Sequence, residues 1–230
     1  MRIGLRSAAA LLTATVFVHA TAAVADLRLS ELIVELQPGK NLREDVEVWN
    51  DSPDRAFVAA EPREIVNPGS ESQGNRLDPD PTTLGLLVSP SRMILEPGQR
   101  RLLRIAAVAA TGEREHVYRV TVKPVVGSVQ SATSGVKILV GYDVLVVVRP
   151  STVNPVVTGT RRGQSLTIVN SGNVSVELIE GRQCEPDRSR CSPLPGKRLY
   201  AGASWTTQLP KDGPAEFVLK SPRGTEHKTF

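Results

Sequence analysis

The chain has 230 residues, 40% of them hydrophobic and 4% aromatic, with a formal net charge of +4 at pH 7. So small a positive excess, with no Lys/Arg cluster interleaved with aromatics, excludes a nucleic-acid binder that works through a basic face. At about 150 residues per domain, the length allows one or two domains, each able to bury a core.

Arg2 and Arg6 give a basic start, "SAAALLTATVFV" (7–18) is a short apolar run, and Ala23-Val24-Ala25 is a small-x-small cleavage site. This predicts a secretory signal peptide over 1–25, because the apolar run is too short to span a bilayer. Cleavage before Asp26 removes Arg2 and Arg6, and with them part of the positive charge. No later stretch approaches the ~20 apolar residues a spanning helix needs, so the exported chain is expected not to cross a membrane.

From there the chain reads as short β-rich runs separated by turns. Strands are predicted at 27–36, 45–50, 55–61, 86–89, 92–96, 101–108, 116–124 and 136–149. The punctuation is "QPGK", "NDSPD", "NPGS", "EPGQ" and "ATGE", all turn chemistry. Together they make one β-sandwich over 26–150. Pro150 ends the last strand, since proline cannot donate to a ladder, and "RPSTVNP" reads as a linker. Shorter runs, "NPVVTG", 165–170, 174–182, "KRLYA", 204–209 and 215–220, predict a smaller β-domain over 151–225. The polar tail, including 226–230, reads as loose. The segments 69–83 and 127–135 read as loops. Cys184 and Cys191 in "CEPDRSRC" suit a disulfide closing a hairpin in an exported protein.

The stretch "GVKILVGYDVLVVVRP" (135–150) stands apart. Every second residue from Val136 to Val148 is apolar: Val136, Ile138, Val140, Tyr142, Val144, Val146 and Val148. A period of two is a strand with one apolar face. At about 3.3 Å per residue its fourteen residues span roughly 46 Å, more than a small sandwich covers. One reading is that the whole row fills a core. The other divides it, with Val144, Val146 and Val148 packed inside and Val136, Ile138, Val140 and Tyr142 projecting to a partner by strand addition. An uncovered edge of this kind aggregates unless something pairs with it, and a self-capping dimer of the free protein is one way to cover it.

Catalytic patterns do not emerge. HExxH, GxSxG, a Walker loop and GxGxxG do not occur. His116 begins a strand and reads as solvated or hydrogen-bonded, and His227 lies in the tail. No metal or cofactor is implied, and the chain is not expected to be an enzyme. The charges of "GEREHVY" (112–118) read as solvated turn residues, and "NVS" (173–175) matches a glycosylation acceptor with little specificity.

Several pieces resemble the periplasmic chaperones of chaperone–usher pili, and most of all those of colonisation-factor (alpha, class five) fimbriae. They are "REIVNPGSES" (63–72), "GLLVSPSRMILEPGQRRLLRI" (85–105), "EHVYRVTVKP" (115–124), the run ending at Pro150, "LTIVNSGNVSVELIEGRQC" (166–184) and "RLYAGASW" (198–205). The resemblance implies an all-β fold of two immunoglobulin-like β-sandwich domains in an L-shaped arrangement. It implies that the chain lends its long strand to incomplete pilus subunits in the periplasm and carries them to an outer-membrane usher without ATP. Val136, Ile138, Val140 and Tyr142 would be the lenders, and strand 27–36 would pair with the subunit's other edge. The best-known branch anchors the subunit's C-terminal carboxylate with two cations, at places that fall here near Leu32 and Leu145. That pair is absent. Arg149 and Arg119 are the neighbouring cations for the role, each also readable as an exposed strand charge. The alternatives are a secreted pilin- or adhesin-like subunit, or a sandwich protein binding sugar or metal, for which aromatics and ligand clusters are scarce.

Overall fold

The computed structural model describes residues 27–109, 112–125, 139–185, 187 and 190–230. The expected signal peptide lies outside these residues, as do Val136 and Ile138.

The first unit contains β1 (Leu27–Leu29), β2 (Ile33–Leu36), β3 (Arg43–Asn50), β4 (Ala56–Val66), β5 (Gly74–Arg76), α1 (Pro81–Leu84), β6 (Leu86–Ser89), β7 (Arg92–Leu95), β8 (Arg100–Ala107), β9 (His116–Pro124) and β10 (Tyr142–Val148). One sheet runs β1-β3-β8-β6 and the other β2-β10-β9-β4-β5, with β7 also on β4. Alternate side chains of each sheet face the other, as the period of two requires. Val46, Val48, Leu103 and Ile105 from one sheet close against Val120, Val122, Val144 and Val146 from its partner, all fully buried.

The single strand expected over 27–36 is two strands in different sheets. β1 pairs antiparallel with β3, and β2 pairs parallel with β10. The inward parity changes with the crossing. Leu27 and Leu29 face the core before it, and Val34 and Leu36 after it. The expected loop 69–83 also holds structure. β5 pairs with the end of β4, and α1 is capped by the Asp80 carboxylate, which accepts from the Thr82 amide at 2.9 Å. Gly85 closes α1 at φ 92°, a left-handed position where a Cβ would also strike the Tyr118 hydroxyl.

The second unit contains β11 (Val157–Arg162), β12 (Ser165–Asn170), β13 (Val176–Cys184), β14 (Cys191–Pro193), β15 (Lys197–Leu199), β16 (Ser204–Gln208), β17 (Ala215–Ser221) and β18 (Gly224–Thr229). Its sheets run β11-β12-β16 and β14-β13-β17-β18, with β15 on β13. Leu166, Ile168, Leu178 and Phe217 centre its core. Cys184 and Cys191 are disulfide-bonded across the β13–β14 ladder.

The tail is not loose. β18 pairs with β17 along its length, and Ala215 and Phe230 exchange backbone hydrogen bonds. The side chains of β18 are largely exposed; the ladder bonds backbone groups whatever the side chains, so polarity alone misreads it. Phe230 packs edge-on to Phe217 and lies over Gly159, where no side chain would fit. No helix among the described residues is long and apolar enough to cross a membrane.

Candidate functional site

The long apolar run is strand from Tyr142 to Val148, and Leu139–Gly141 are described without strand pairing. Both of its faces are used. Val144, Val146 and Val148 fill the first core. Leu145 and Val147 join Ile65 and Val117 in a cluster on the sheet's other face, and Tyr200 of the second unit packs against that cluster. This two-sided burial explains why both parities of 144–148 are apolar.

The edges of β10 differ along its length. From Leu145 onward it has β9 on one side and β2 on the other, with the Leu145 amide donating to Leu32 O at 2.9 Å. Between Tyr142 and Val144 it has β9 alone among the described residues. Tyr142 is the seam. Its ring packs against the first core and its hydroxyl donates to Leu27 O at 2.7 Å, so it is engaged within the protein itself, unlike the projecting side chain the sequence suggested. The next residue of the row, Val140, is 49% exposed. Leu32 and Ile33 on the β2 side are 50% and 51% exposed.

Arg149, read from sequence as a candidate anchor or an exposed strand charge, is buried. Its side chain is 4% exposed, and its Nη1 donates to Glu115 Oε2 at 2.5 Å and to Ser175 Oγ at 3.0 Å. Nη2 donates to Glu35 Oε1 at 2.8 Å. The side chain of Glu115, taken as a solvated turn charge, is 1% exposed. Arg149 thus joins the end of β10 to β2, to the start of β9 and to the second unit. Arg149 Nε and Glu115 Oε1 have no partner among the described residues.

Asn173 completes the junction. Its Nδ2 donates to Glu113 O at 2.9 Å and Thr152 O at 2.8 Å, and its Oδ1 accepts from the Asn154 amide at 2.7 Å. The Glu115 amide donates to Asn173 O at 3.0 Å. The "RPSTVNP" linker is therefore fastened to both units, and the amide of the "NVS" pattern is engaged in holding it. Asn173 and Ser175 carry no sequence pattern that marks this role.

Arg119 is on the same face of the sheet as Leu145, about a third exposed. It lies directly across from Arg63 of β4. Arg63 donates to Thr121 Oγ1 at 2.6 Å and Asp143 Oδ2 at 2.8 Å, and Arg119 donates to Asp143 O at 3.1 Å. Two guanidiniums thus share one carboxylate, leaving positive charge on the surface beside β10.

His116 is hydrogen-bonded, as its strand position suggested: Nδ1 lies 2.8 Å from Glu64 Oε1, while Arg76 Nε donates to Oε2 at 2.6 Å. Burial pushes the Glu64 carboxyl upward, but the His116 and Arg76 hydrogen bonds and the Arg76 charge outweigh it and hold the pKa below the usual 4.5. Burial, then the Glu64 charge, pushes the neighbouring Tyr118 hydroxyl up to about 12, so it stays protonated and donates to Leu84 O. Because the folded pKa of Glu64 is depressed, its stabilising share is present above 4.5 and is lost as pH falls through the folded value. In urea titrations, the stability gap between the native protein and Glu64→Gln is expected to be present at about pH 5 and to shrink as the pH falls further. A gap independent of pH would show that the carboxylate is not the source.

By architecture this is a two-domain immunoglobulin-like β-sandwich protein. Residues 27–154 match the family model described as pili and flagellar-assembly chaperone, PapD N-terminal domain, and the chain belongs to that family. No curated protein sequence matches it. Among solved structures it is similar to the class 5 fimbriae chaperone CfaA, with 21% identity over 88% of this chain and 98% of that one and a TM-score of 0.69. It is also similar to a chain of the chaperone–tip adhesin complex of CFA/I fimbriae biogenesis, with 21% identity over 89% and 98% and a TM-score of 0.67. A chain of the Salmonella enterica SafA pilin–SafB chaperone complex shares 17% identity over 91% and 99%, with a TM-score of 0.63. Across these likenesses the fold is the same.

Proposed function

We propose that the protein is a periplasmic chaperone that caps pilus or fimbrial subunits by donor-strand complementation and hands them to an outer-membrane usher. Its donor domain spans 26–150, its second domain 151–225, and the cleaved leader 1–25 sends it to the periplasm. The observation that carries the reading is the fate of one row of side chains. Val144, Val146 and Val148 are sealed in the first core, Tyr142 closes it, and Val140, just ahead of β10, is half exposed.

Val136, Ile138 and Val140 enter the groove of a subunit that lacks its last strand, while Leu32 and Ile33 offer apolar contact on the β2 side. Each fully buried side chain contributes about 1.5–3 kcal/mol, and each ladder bond roughly 0.5–1.5 kcal/mol. For the subunit's terminal carboxylate, Arg119 with Arg63 is the better anchor, because the Arg149 guanidinium already serves two carboxylates.

Co-expression in a periplasm with a small secreted subunit from the same gene cluster tests the proposal. The expected result is a one-to-one complex of a subunit that is degraded when expressed alone. Subunit that accumulates equally without the protein would defeat the reading.

A further inference from the structure

The chain leaves one sheet of the first sandwich after β1 and joins the other at β2, and this crossing leaves a gap between the edges of the two sheets. β1 has β3 as its one ladder partner among the described residues. The Ser30 amide donates to Glu47 O at 3.1 Å, and backbone groups alternate in direction along a strand. Those of Arg28 therefore face β3, and those of Leu27 and Leu29 face outward. On β10 the Leu145 amide donates to Leu32 O, so the Asp143 amide points to the same side, where β2 has not yet begun. Two outward edges, one from each sheet, border the same gap.

Tyr142 spans it. Its ring packs against the first core, and its hydroxyl donates to Leu27 O at 2.7 Å, a carbonyl on the outward edge of β1. No ladder joins β1 to β10 among the described residues, and the phenol supplies the tie. The strand that carries it is closely seated. Tyr142 pairs with Val122 of β9, and a Cβ at Gly141 would lie 3.1 Å from Lys123 Cβ and 3.2 Å from Val122 O, tighter than ordinary contact. A phenylalanine ring would pack against the core as well, so what the tyrosine adds is the bond.

Resting on the donor-strand reading, we propose that Tyr142 is a positioning residue for subunit capping. Its hydroxyl holds the outward edge of β1 at a fixed distance from the open edge of β10, so that both edges meet the subunit already aligned. Alignment beforehand leaves less ordering to be done on binding. The test compares Tyr142→Phe with the native protein, free and in complex with a co-expressed subunit from the same gene cluster. In the free protein the Leu27 carbonyl carbon resonance is expected to shift. In the native complex the outward amides of Leu29 and Asp143 are both expected to gain protection from hydrogen exchange. In the Tyr142→Phe complex, exchange at Leu29 is expected to quicken about two- to tenfold, the size of one hydrogen bond, with Asp143 still protected. Subunit is expected to dissociate faster by a similar factor. A hydroxyl that only stabilises the fold would loosen both amides alike and lower the urea midpoint. That result, an unchanged Leu29, or a Leu27 resonance that stays in place would overturn the proposal and leave the donor strand standing. A complex in which Asp143 gains no protection, or no complex at all, would overturn the donor reading and this inference with it.

Discussion

Replacing Val140 by Asp is expected to abolish subunit rescue while leaving the free protein as stable as before. Val140 is already 49% exposed, so the substitution removes no core contact in the free chain. A surface change of this kind moves stability by about 0.5 kcal/mol or less. In the proposed capped state the same position faces an apolar groove. There the change forfeits roughly 1.5–3 kcal/mol of burial and adds the cost of desolvating a carboxylate, itself several kcal/mol. With 1.4 kcal/mol corresponding to tenfold, subunit affinity is expected to fall by more than about a hundredfold. Ile138→Asp is expected to act in the same way. Val144→Asp is the contrasting control: it buries a charge in the first core and is expected to prevent folding. Periplasmic subunit yield and urea midpoints of the purified variants separate the cases. An undiminished yield with Val140→Asp and Ile138→Asp would remove the donor assignment.

The alternation that motivates this experiment was legible because a strand writes its burial into every second residue. At 144–148 both parities are apolar, and the structure shows why: one face fills a sandwich and the other meets Tyr200. The break between β1 and β2 was also written in the sequence, as the shift of inward residues from odd to even numbers between Leu29 and Val34, but the consecutive apolar Leu32, Ile33 and Val34, which suit either parity, concealed it. β18 left little trace, since a ladder at a solvated edge asks almost nothing of its side chains. The junction was illegible for a different reason. Arg149 meets Glu115 across 34 residues and Glu35 across 114. No local pattern distinguishes a charge that will be buried against a distant partner from one left in water. Arg63 was missed likewise, because its pairing with Arg119 is a matter of sheet register.

The buried junction yields the other large effect, a loss of stability in Arg149→Ala. The Arg149 and Glu115 side chains are 4% and 1% exposed, so deleting the guanidinium leaves a carboxylate out of water with no cation beside it. Breaking a buried pair from one side costs about 3–5 kcal/mol, a large share of the 5–15 kcal/mol typical of a folded domain. The pair itself need not be stabilising. Glu115 Oε1 and Arg149 Nε are unpartnered, so part of the desolvation cost is not recovered by hydrogen bonds. Removing both charges, with Glu115→Leu and Arg149→Met, is therefore expected to restore most of what Arg149→Ala loses. The protein's two tryptophans allow the units to be followed separately, because Trp49 lies in the first and Trp205 in the second. In Arg149→Ala the urea transition seen by Trp49 is expected to move to markedly lower urea. The transition seen by Trp205 is expected to move less, since among the described residues the second unit meets the guanidinium through the Ser175 hydroxyl alone. Transitions that stay within about 0.5 kcal/mol of the native protein, the size of an ordinary surface change, would mean that Arg149 is solvated after all and that the seam between the two sandwiches is held elsewhere.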